Sequence, residues 1–373
     1  MKVGLISYHS FYMEGGVKTH ILNLEKEFEK KGIECKIIAP RRKRGEKYGR
    51  EDIILLGTSF PITSIGTQGD FCVSFWPLSI SRALEKEKFD VLHFHNMGLP
   101  LSKQMLSRSK ALNVLTFHAS LEGSAFIKNF PLLISPIQKL AQDYMKGVIG
   151  VSQVALKHFH DFQGPKEIIP NGINLEQFNP GNPLIKKFQD GKINILFVNR
   201  IEQRKGLIYL LKAFELLNKE FSNLRLIVVG EGDLKNECQN YVKKNKLHEV
   251  CFEGQQPIDV VPSYYSSCDV FVAPSIFGES FGIVLLEAMA SGKPVLAFAN
   301  QGYKEVLKDK KGGILIPPKD YQELARQLKI LIQDRDLRKK MGEQGIKEAQ
   351  GYSWDKVAQR VLDFYQTCKE NSK

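Results

Sequence analysis

Residues 269–299 read DVFVAPSIFGESFGIVLLEAMASGKPVLAFA, and this stretch contains the unit from which the fold is built. It opens with an apolar segment of strand length, DVFVAPS, followed by a glycine-containing loop and a strongly apolar segment of helical length. A second strand-like segment, KPVLAFA, ends it. Strand, helix and strand in succession predict parallel strands in a sheet whose faces are covered by helices.

The same alternation recurs along the chain in two series. The first series of predicted strands occupies 2–7, 35–39, 90–95, 112–118 and 147–151. A helix is predicted over 17–31, because Ile21, Leu24 and Phe28 recur there at helical spacing. The second series of predicted strands occupies 192–199, 224–233, 249–254, 269–275, 293–299 and 312–318.

A stretch rich in proline, asparagine and glycine, 168–183, separates the two series and is typical of a linker. A chain of 373 residues is long enough for two ordinary domains. The predicted fold class is therefore α/β, with two Rossmann-like doubly wound domains that face one another across a cleft. Open α/β sheets bind ligands at the carboxyl ends of their strands, so motif residues should cluster there.

The composition is that of a soluble globular protein, with 43% hydrophobic and 25% charged residues. No apolar run approaches the roughly 18–20 residues that a membrane span needs. The N-terminal MKVGLISYHS reads as a strand and not as a signal peptide, since it lacks an extended apolar core and a cleavage site. The six cysteines show no ligand spacing, which predicts reduced thiols in a cytoplasmic protein.

The formal net charge of +12 arises from 53 basic and 41 acidic residues, and its sharpest cluster is RRKRGEKYGR at 41–50. Two interpretations of this cluster stay open: a solvated loop, or a contact with an anionic membrane surface. Nucleic acid is not an expected partner, because neither an aromatic-interleaved basic stripe nor a known binding motif accompanies the cluster.

Two loops after predicted strands carry the residue types that bind phosphate. In YHSFYMEGGVKTH, 8–20, a Gly-Gly pair feeds a helix whose first N–H groups can bind an anion, although the GxGxxG dinucleotide fingerprint is absent. In NRIEQRKGL, 199–207, Arg200, Arg204 and Lys205 follow one another closely. These cations suit a diphosphate clamp, and the alternative is a surface loop of ordinary charge.

Glu279 and Glu287 bracket an apolar run, where a carboxylate without a partner would be costly. Glu279 is predicted to lie in the loop before a helix that begins near Phe281 or Gly282. Side chains on a helix lean toward its N-terminus, so Glu287 should reach back toward the same end. A sugar or ribose with adjacent hydroxyls suits such a carboxylate, and the alternative is a glutamate paired with a backbone group or an arginine.

Two predicted strands of the first series, 90–95 and 112–118, end in histidines. His118 closes the strand LNVLTFH, where it is either a hydrogen-bonded structural residue or a functional one. His93 and His95 share one face of their strand, which suggests a metal. No further carboxylate and histidine cluster follows them, so no metal is expected.

The motifs occur in one order over essentially the whole chain: EGGVKTH, TFHA, GVSQ, IPNGIN, RIEQRKGL and GESFGIVLLEAMASGKPV. In this combination the chain resembles the retaining nucleotide-sugar glycosyltransferases of family 4, which are glycogen-synthase-like and have the two-domain GT-B fold. Within that family it is similar to the GDP-mannose-dependent phosphatidylinositol mannosyltransferases, which share the GGV loop and GESFGIVL. The resemblance implies a hexosyltransferase that moves mannose from GDP-mannose to a lipid or glycan hydroxyl.

Roles for single residues follow from the same resemblance. Glu287 would hold the ribose hydroxyls of the donor, and Glu279 would contact the transferred sugar together with His118. Arg200 and Lys205 would neutralise the diphosphate. The other positions implied in substrate binding are Gly16, Lys18, Arg204, Gln256 near the base, Ser280, Phe281, Gly282 and Ile283, with His9 on the acceptor side.

The resemblance also implies domain roles and a mechanism. The N-terminal domain, 1–167, would take the acceptor side and be completed by a final crossover helix within 352–373, whereas 168–351 would bind the nucleotide sugar. No cofactor or divalent metal is implied, because arginine and lysine neutralise the diphosphate. Retention without an obvious carboxylate nucleophile suggests a front-face displacement. Such an enzyme would be cytoplasmic and peripheral at the inner face of the cell membrane.

The acceptor side departs from the mannosyltransferase pattern. The region 69–88 has no cation before Arg82, and His9 stands where those enzymes carry an acceptor-binding tyrosine. Three alternatives stay open: a UDP-sugar-dependent transferase, a nucleotide-sugar 2-epimerase of the same fold, and a sugar-nucleotide sensor without activity. A dinucleotide-dependent oxidoreductase would need the glycine fingerprint that the first loop lacks.

Overall fold

The computed structural model of the chain describes residues 1–11, 15–43, 50, 53–64, 67–119 and 134–372, without the side chains of 61–64 and 67–70. The chain divides into two compact units. The N-terminal unit comprises Met1–Gly172 and Trp354–Lys373, and the C-terminal unit comprises Ile173–Ser353. The predicted boundaries, after residues 167 and 351, lie a few residues before the observed ones.

The described part of the N-terminal unit is built on one eight-stranded sheet. Its strands are β1 (Lys2–Ser7), β2 (Glu34–Arg41), β3 (Ile53–Ser64), β4 (Thr67–Val73), β5 (Val91–His95), β6 (Leu112–Phe117), β7 (Gly147–Gly150) and β8 (Lys166–Ile168). Its helices before the linker are α1 (Gly16–Lys30), α2 (Pro77–Glu87), α3 (Leu101–Leu106), α4 (Ser135–Tyr144) and α5 (Gln153–Leu156). The strand order is β4-β3-β2-β1-β5-β6-β7-β8, and only the β3–β4 pair is antiparallel.

The antiparallel pair at the edge of this sheet does not appear among the predicted strands. Strand β3 opens with the apolar run IILL but continues with glycine, proline and polar residues, and β4, TQGDFCV, has no continuous apolar run of strand length. The region 69–88, whose charges depart from the mannosyltransferase pattern, is therefore part strand and part helix. Its helix begins at Pro77, a residue favoured in the first helical turn.

The C-terminal unit is built on a six-stranded parallel sheet. Its strands are β9 (Ile193–Val198), β10 (Leu224–Val229), β11 (Val250–Gly254), β12 (Val270–Ala273), β13 (Val295–Phe298) and β14 (Gly313–Ile316). Its helices are α6 (Leu207–Asn218), α7 (Lys235–Lys244), α8 (Val261–Ser267), α9 (Ile283–Ala290), α10 (Gln301–Leu307), α11 (Tyr321–Gln333) and α12 (Arg335–Ala349). All six strands lie within predicted ones, because most of their residues are apolar, as is usual for the strands of a parallel sheet.

Each sheet has a point where the strand order reverses. The C-terminal order is β11-β10-β9-β12-β13-β14, so the chain changes direction across the sheet between β9 and β12. In the N-terminal sheet the same change falls between β1 and β5. Doubly wound sheets bind ligands at this switch point, outside the carboxyl ends of the strands. The loops that follow β9 and β12, and those that follow β1 and β5, are therefore the places for functional residues.

The final helix, α13 (Trp354–Glu370), belongs to the N-terminal unit, where it packs on α1. Its apolar stripe is buried in the core of that unit and consists of Trp354, Val357, Ala358, Val361, Phe364, Tyr365 and Cys368. The helix comes close to β7, since a Cβ on Gly147 would lie 2.3 Å from Cys368 Sγ. The apolar spacing of the last predicted helix thus serves packing within the N-terminal unit.

The basic cluster at 41–50 lies partly outside the described residues, which omit 44–49. At its two ends, Arg41 Nη2 donates to the Leu55 carbonyl oxygen at 3.0 Å, and Arg50 Nη2 pairs with Glu25 Oε2 at 2.7 Å. These end residues therefore make contacts within the chain.

The structure also tests the expectations of reduced cysteines and of no membrane-spanning segment. All six cysteines are free thiols, as the sequence predicts. In the part of the chain that the structure describes, no helix combines the length and the apolar character that crossing a bilayer requires.

Candidate active site

The turn after β9 carries the three predicted cations, and the fold holds it against the end of β12. The turn ends at Gly206, whose φ is +70° and whose Cβ, if present, would lie 2.0 Å from the Pro274 carbonyl oxygen. The Ile276 N–H donates to the Arg204 carbonyl oxygen at 2.8 Å. Because β9 and β12 are neighbours, this close contact brings the cations to the loop that contains Glu279.

Lys205 and Glu279 form a close ion pair within the C-terminal unit. Lys205 Nζ lies 2.5 Å from Glu279 Oε1, and the Lys205 side chain is only 9% exposed. Arg204 Nη1 lies 3.5 Å from the same carboxylate oxygen. Glu202 Oε1 forms an ion pair with Arg200 Nη1 at 2.7 Å, and Glu202 Oε2 accepts from Arg204 Nε at 3.0 Å. Three cations thus face two carboxylates, which leaves an excess of one positive charge, and the Arg200 side chain is 56% exposed.

The ion pair determines the protonation of Glu279. Burial alone would raise the pKa of this carboxyl group, but the charge and the hydrogen bond of Lys205 outweigh burial and lower the pKa. Burial lowers the pKa of the Lys205 ammonium, and the charge of Glu279 opposes that shift. Glu279 is therefore an ionised hydrogen-bond acceptor at neutral pH, as a group that binds sugar hydroxyls must be.

The loop that contains Glu279 is fixed by close packing against α10. Gly282 precedes α9 with a φ of +116°, and a Cβ there would lie 2.6 Å from Tyr303 Cδ1. A Cβ on Gly302 would lie 2.4 Å from the Glu279 carbonyl oxygen. The Tyr303 hydroxyl donates to Ser275 Oγ at 3.1 Å in the buried interior. The two glycines therefore let a backbone loop and a helix approach at a distance that no side chain would permit.

Glu287 lies in the second turn of α9, which begins at Ile283, within two residues of its predicted start. The Tyr265 hydroxyl donates to Glu287 Oε2 at 2.8 Å, so the partner is neither a backbone group nor an arginine. Burial raises the pKa of Glu287 to about 7, and the bond from Tyr265 opposes this shift. Near neutral pH the carboxyl group therefore titrates, which makes its hydrogen-bonding character sensitive to pH.

The remaining positions selected in the C-terminal unit have different surroundings. Gln256 lies in the loop after β11, two strands from β9 in the sheet, and its Nε2 donates to the Glu253 carbonyl oxygen at 2.6 Å. Phe281 is buried, with its ring centroid 6.0 Å from that of Tyr352. Its backbone, and not its side chain, can therefore meet a ligand. Ser280 is partly exposed.

Gly15 and Gly16 stand at the start of α1 in the N-terminal unit. A Cβ on either glycine would meet no described atom within 4 Å, so no close packing among the described residues requires a glycine here. The neighbouring residues 12–14 lie outside the described part of the chain. The open space is what a helix N-terminus needs if a ligand is to approach its backbone.

Lys18 and His9 lie on either side of Gly15 and Gly16 in the sequence. Lys18 is in the first turn of α1, with Nζ 6.0 Å from the Phe11 ring centroid. His9 follows β1, where its carbonyl oxygen accepts from Ser7 Oγ at 2.6 Å and its ring centroid lies 4.8 Å from that of Tyr8. Both predicted residues thus lie after β1, at the switch point of the N-terminal sheet.

The strand histidines lie together at the carboxyl ends of β5 and β6. His93 uses both ring nitrogens, with Nε2 2.6 Å from Thr116 Oγ1 and Nδ1 2.6 Å from Tyr365 OH. His95 Nδ1 lies 3.2 Å from His118 Nε2. The two strands are neighbours in the sheet, which places these imidazoles side by side.

His20, on α1, joins this group. Its Nδ1 lies 2.9 Å from Asn171 Oδ1, and its ring centroid lies 5.1 Å from that of His95 and 4.6 Å from that of His118. One ring nitrogen of each of these three histidines lies within 4.8 Å of the other two, a grouping that could hold a metal ion. The sequence shows no further carboxylate and histidine cluster beside the strand histidines, and this grouping arises only in the folded chain, because His20 comes from a helix and His118 from the end of the next strand.

Burial keeps the imidazoles of this group neutral at pH 7. It lowers the pKa of His20 to about 4 and that of His93 to about 3. The pKa values of His95 and His118 are well below the ordinary value for the same reason. The backbone of His118 is held in place by its N–H, which donates to Asn96 Oδ1 at 2.8 Å.

The sequence analysis missed the partners of the selected residues. His20 and Asn171 stand inside the motifs GGVKTH and IPNGIN, so their motif membership was a signal that could have selected them. Tyr265, Tyr303 and Ser275 lie in segments without any motif. Only the folded chain shows that they contact the glutamates or hold their loop.

Two family models match the chain in succession. The model described as Glycosyltransferase Family 4 matches residues 14–177, and the model described as Glycosyl transferases group 1 matches residues 183–348. The gap between the two matches falls within the predicted linker.

Relatives with assigned descriptions match nearly the full length. The chain is 31% identical over 376 residues to a phosphatidyl-myo-inositol mannosyltransferase of Mycobacterium leprae, with 98% of this chain and 97% of the relative covered. It is 27% identical to a protein of the same description from Propionibacterium freudenreichii, with 100% of this chain and 96% of the relative covered.

Solved structures share the fold at lower identity. The sucrose-phosphate synthase of Thermosynechococcus elongatus is similar with a TM-score of 0.80 at 20% identity, with 99% of both chains covered. The Anabaena protein Alr3699/HepE, solved with UDP and glucose, is similar with a TM-score of 0.75 at 19% identity, over 97% of this chain and 99% of that chain. From the sequence relatives and the two Rossmann-like units together, we conclude that the chain belongs to glycosyltransferase family 4 and is a glycosyltransferase of GT-B fold.

Proposed function

We propose that this glycosyltransferase is a retaining mannosyltransferase that uses GDP-mannose and acts on a hydroxyl group of a lipid or glycan. The observation that carries the donor part is the Lys205–Glu279 pair beside Arg200, at the switch point of the C-terminal sheet. Doubly wound sheets bind nucleotides at that point. Mannose and a lipid acceptor are favoured by the relatives described as phosphatidyl-myo-inositol mannosyltransferases.

The C-terminal unit is proposed to bind the donor. Arg200 and Lys205 neutralise the diphosphate, with Arg204 beside them, so that no divalent metal is needed there. Glu287 accepts from the ribose hydroxyls, and Glu279 accepts from the transferred sugar. The other groups proposed in donor binding are the side chains of Lys18, Gln256 and Ser280, and the backbone of Gly16, Phe281, Gly282 and Ile283.

The proposed reaction is a front-face displacement. The bond from the sugar C1 to the diphosphate oxygen breaks, and a bond from C1 to the acceptor oxygen forms on the same face. The acceptor proton passes to the departing diphosphate oxygen, whose charge Arg200 and Lys205 stabilise. Glu279 is held by Lys205 at 2.5 Å and is therefore an electrostatic partner rather than a nucleophile. His118 contacts the transferred sugar in this proposal.

The acceptor side is proposed to lie on the N-terminal unit, with a membrane surface as its partner. An aromatic patch supports this proposal, because apolar side chains are exposed at the β3–β4 pair and at the start of α2. The patch consists of Phe60, Phe71, Phe75, Trp76 and Leu78, whose exposed fractions are 43%, 42%, 66%, 79% and 70%. Exposed aromatic side chains are typical of surfaces that enter the membrane interface. The enzyme would then act as a peripheral protein at the inner face of the cell membrane.

The patch leads to a prediction about vesicle binding. The double variant Phe75→Ser and Trp76→Ser should bind vesicles that contain anionic lipid at least about tenfold more weakly than the unaltered protein, because the apolar side chains that enter the interface are lost. Co-sedimentation at fixed ionic strength measures this. Phe277→Ser, at an exposed aromatic residue of the C-terminal unit, is the matched control. Equal binding by the double variant would contradict the role of the patch.

Thermal unfolding with candidate ligands tests the donor assignment. GDP, UDP, GDP-mannose, UDP-glucose, UDP-N-acetylglucosamine and NAD are added one by one, each with and without a chelator. A ligand present at about 100 times its Kd should raise the free energy of unfolding by roughly 2.7 kcal/mol. We expect stabilisation by GDP and GDP-mannose that the chelator does not remove. Stabilisation by UDP compounds alone would show that the donor is a UDP-sugar and not GDP-mannose. Conversion of the nucleotide sugar without any acceptor would favour the 2-epimerase.

The anomeric configuration of the transferred sugar is tested by NMR of the product. Once an acceptor is turned over, the coupling constant of the new anomeric proton in the product shows whether configuration is retained. Retention supports the front-face displacement, whereas inversion would overturn it.

A further inference from the structure

We infer that His20, His95 and His118 form a binding site for a single zinc ion in the N-terminal unit. The three imidazoles come from α1, from the end of β5 and from the residue after β6, and their ring centroids lie 4.6–5.4 Å apart. One nitrogen of each lies within 4.8 Å of the other two. Three histidines with a fourth position left for water are a common ligand set for zinc.

The spacing of two of the nitrogens already fits a shared ion. His95 Nδ1 and His118 Nε2 are 3.2 Å apart. Two nitrogens that each lie about 2.0–2.1 Å from one zinc ion and stand about 3.2 Å apart subtend an angle of about 100° at the metal, close to tetrahedral. A tetrahedral site places its nitrogens roughly 3.3 Å apart, so His20 needs to move by at most about 1.5 Å to complete the set.

His20 is oriented as a metal ligand is. Its Nδ1 lies 2.9 Å from Asn171 Oδ1, which accepts a hydrogen bond, so the ring proton is on Nδ1 and the lone pair is on Nε2. That Nε2 is buried and has no hydrogen-bond partner among the described residues. A histidine that binds a metal commonly donates its other N–H to an oxygen in this way. An unpaired buried lone pair costs free energy, and a bound zinc ion would satisfy it.

The chemistry of the ligand set selects the metal. The three ligands are nitrogens, which suit zinc and other late first-row ions and do not suit magnesium or calcium. His118 is partly exposed, whereas His20 and His95 are buried. Of the three ligands, His118 is therefore the nearest to solvent among the described residues.

The site has a consequence that rests on the proposed function. If His118 contacts the transferred sugar, zinc bound to its Nε2 competes with that contact. Zinc should then inhibit sugar transfer, and a chelator should restore it. This inhibition is separate from donor binding by the C-terminal unit, for which no divalent metal is proposed.

Cobalt substitution in the full-length protein tests the site without any activity assay. One equivalent of Co²⁺ should produce the visible absorption of a tetrahedral ion, and one equivalent of Zn²⁺ should abolish it. The absorption should be lost in His20→Gln and in His118→Gln. His160→Gln, at an exposed histidine of the same unit, is the control and should keep it. Absence of the absorption in the unaltered protein, or its persistence in both site variants, would overturn the proposal.

Two further measurements keep the test decisive if a buried variant does not fold. Asn171→Ala removes only the hydrogen-bond partner of His20 and should weaken zinc binding about 10- to 100-fold, as measured by competition with a chromogenic chelator. Unchanged zinc affinity in a folded Asn171→Ala protein would contradict the claim that Asn171 orients His20 as a ligand. If cobalt binds as expected but zinc does not inhibit transfer, the role proposed for His118 in catalysis is wrong and the metal site stands.

Discussion

Replacing Lys205 with alanine is expected to lower kcat for sugar transfer by about 10²- to 10³-fold, the usual effect of removing a preorganised group that stabilises developing charge. The Lys205 ammonium lies in a site that is almost closed to water, 2.5 Å from Glu279 Oε1. A charge held there needs little reorganisation as the diphosphate departs. Steady-state kinetics with saturating donor measure the effect, and KM for the donor should change less than kcat if Lys205 acts mainly on the departing diphosphate.

The same substitution leaves the Glu279 carboxylate buried without its main partner, so stability must be measured alongside activity. Removing one member of a buried ion pair typically costs about 3–5 kcal/mol. The double variant Lys205→Ala and Glu279→Gln removes both charges and should unfold at a higher temperature than Lys205→Ala alone. Lys212→Ala, at a lysine of α6 that lies over the rings of Tyr209 and Tyr321, is the control for the loss of a lysine from this unit. A folded Lys205→Ala enzyme with near-normal kcat would refute the role of this lysine.

Glu287→Gln is expected to change stability and nucleotide binding in opposite directions. An unfolded glutamate titrates near 4.5, whereas burial raises the pKa of Glu287 in the folded protein to about 7. Between these values the folded protein binds a proton that the unfolded chain has lost, so the free energy of unfolding falls as the pH rises. One pKa unit corresponds to about 1.4 kcal/mol, so the difference between 4.5 and about 7 should make Glu287→Gln more stable than the unaltered protein by about 3 kcal/mol at pH 8. At pH 5 the two should be nearly equal.

The affinity for GDP should fall in Glu287→Gln, whereas the stability of the protein rises. The ribose hydroxyls lose a charged acceptor in Glu287→Gln, and a hydrogen bond to a charged group is worth about 1.5–3 kcal/mol, so GDP should bind roughly 10- to 100-fold more weakly. In the unaltered protein, binding should strengthen as the pH rises through about 7, because the carboxylate is then ionised. Calorimetric titration between pH 5.5 and pH 8.5 measures both effects.

The chain offers a matched control for Glu287. Glu215 also accepts from a tyrosine hydroxyl in the C-terminal unit, at 2.6 Å from Tyr241 OH. Glu215→Gln should leave nucleotide binding and its pH dependence unchanged. Tight GDP binding by Glu287→Gln would contradict the role of this carboxyl group in ribose binding. Equal unfolding free energies of Glu287→Gln and the unaltered protein at pH 8 would contradict its raised pKa.

The sequence predicted the architecture best where the strands are buried on both faces. A parallel strand covered by helices is mostly apolar, as in β9, β10 and β12, and such a run can be recognised without knowledge of its neighbours. The pair β3 and β4 was not predicted, because glycine, proline and polar residues interrupt β3 after its first four residues and predominate in the edge strand β4. Strand β8, Lys166–Ile168, was missed because three residues are too few for a pattern.

In the candidate site, the sequence indicated the residues but not the contacts between them. The sequence indicated Arg200, Lys205, Glu279 and Glu287, because each stands in a motif next to a predicted strand or helix. It did not indicate how these residues pair. The contact of Lys205 with Glu279 spans 74 positions in the chain and depends on β9 and β12 being neighbours.

By itself, the sequence determined the alternation of strands and helices, the division into two series and the motif residues that end the strands. Local apolar periodicity and residue type are sufficient for these. The tertiary structure alone decided that Tyr265 is the partner of Glu287 and that His20 joins His95 and His118 in a ligand set. These contacts arise from the order of strands in the sheets and the packing of helices on them, and no spacing along a single segment encodes that order.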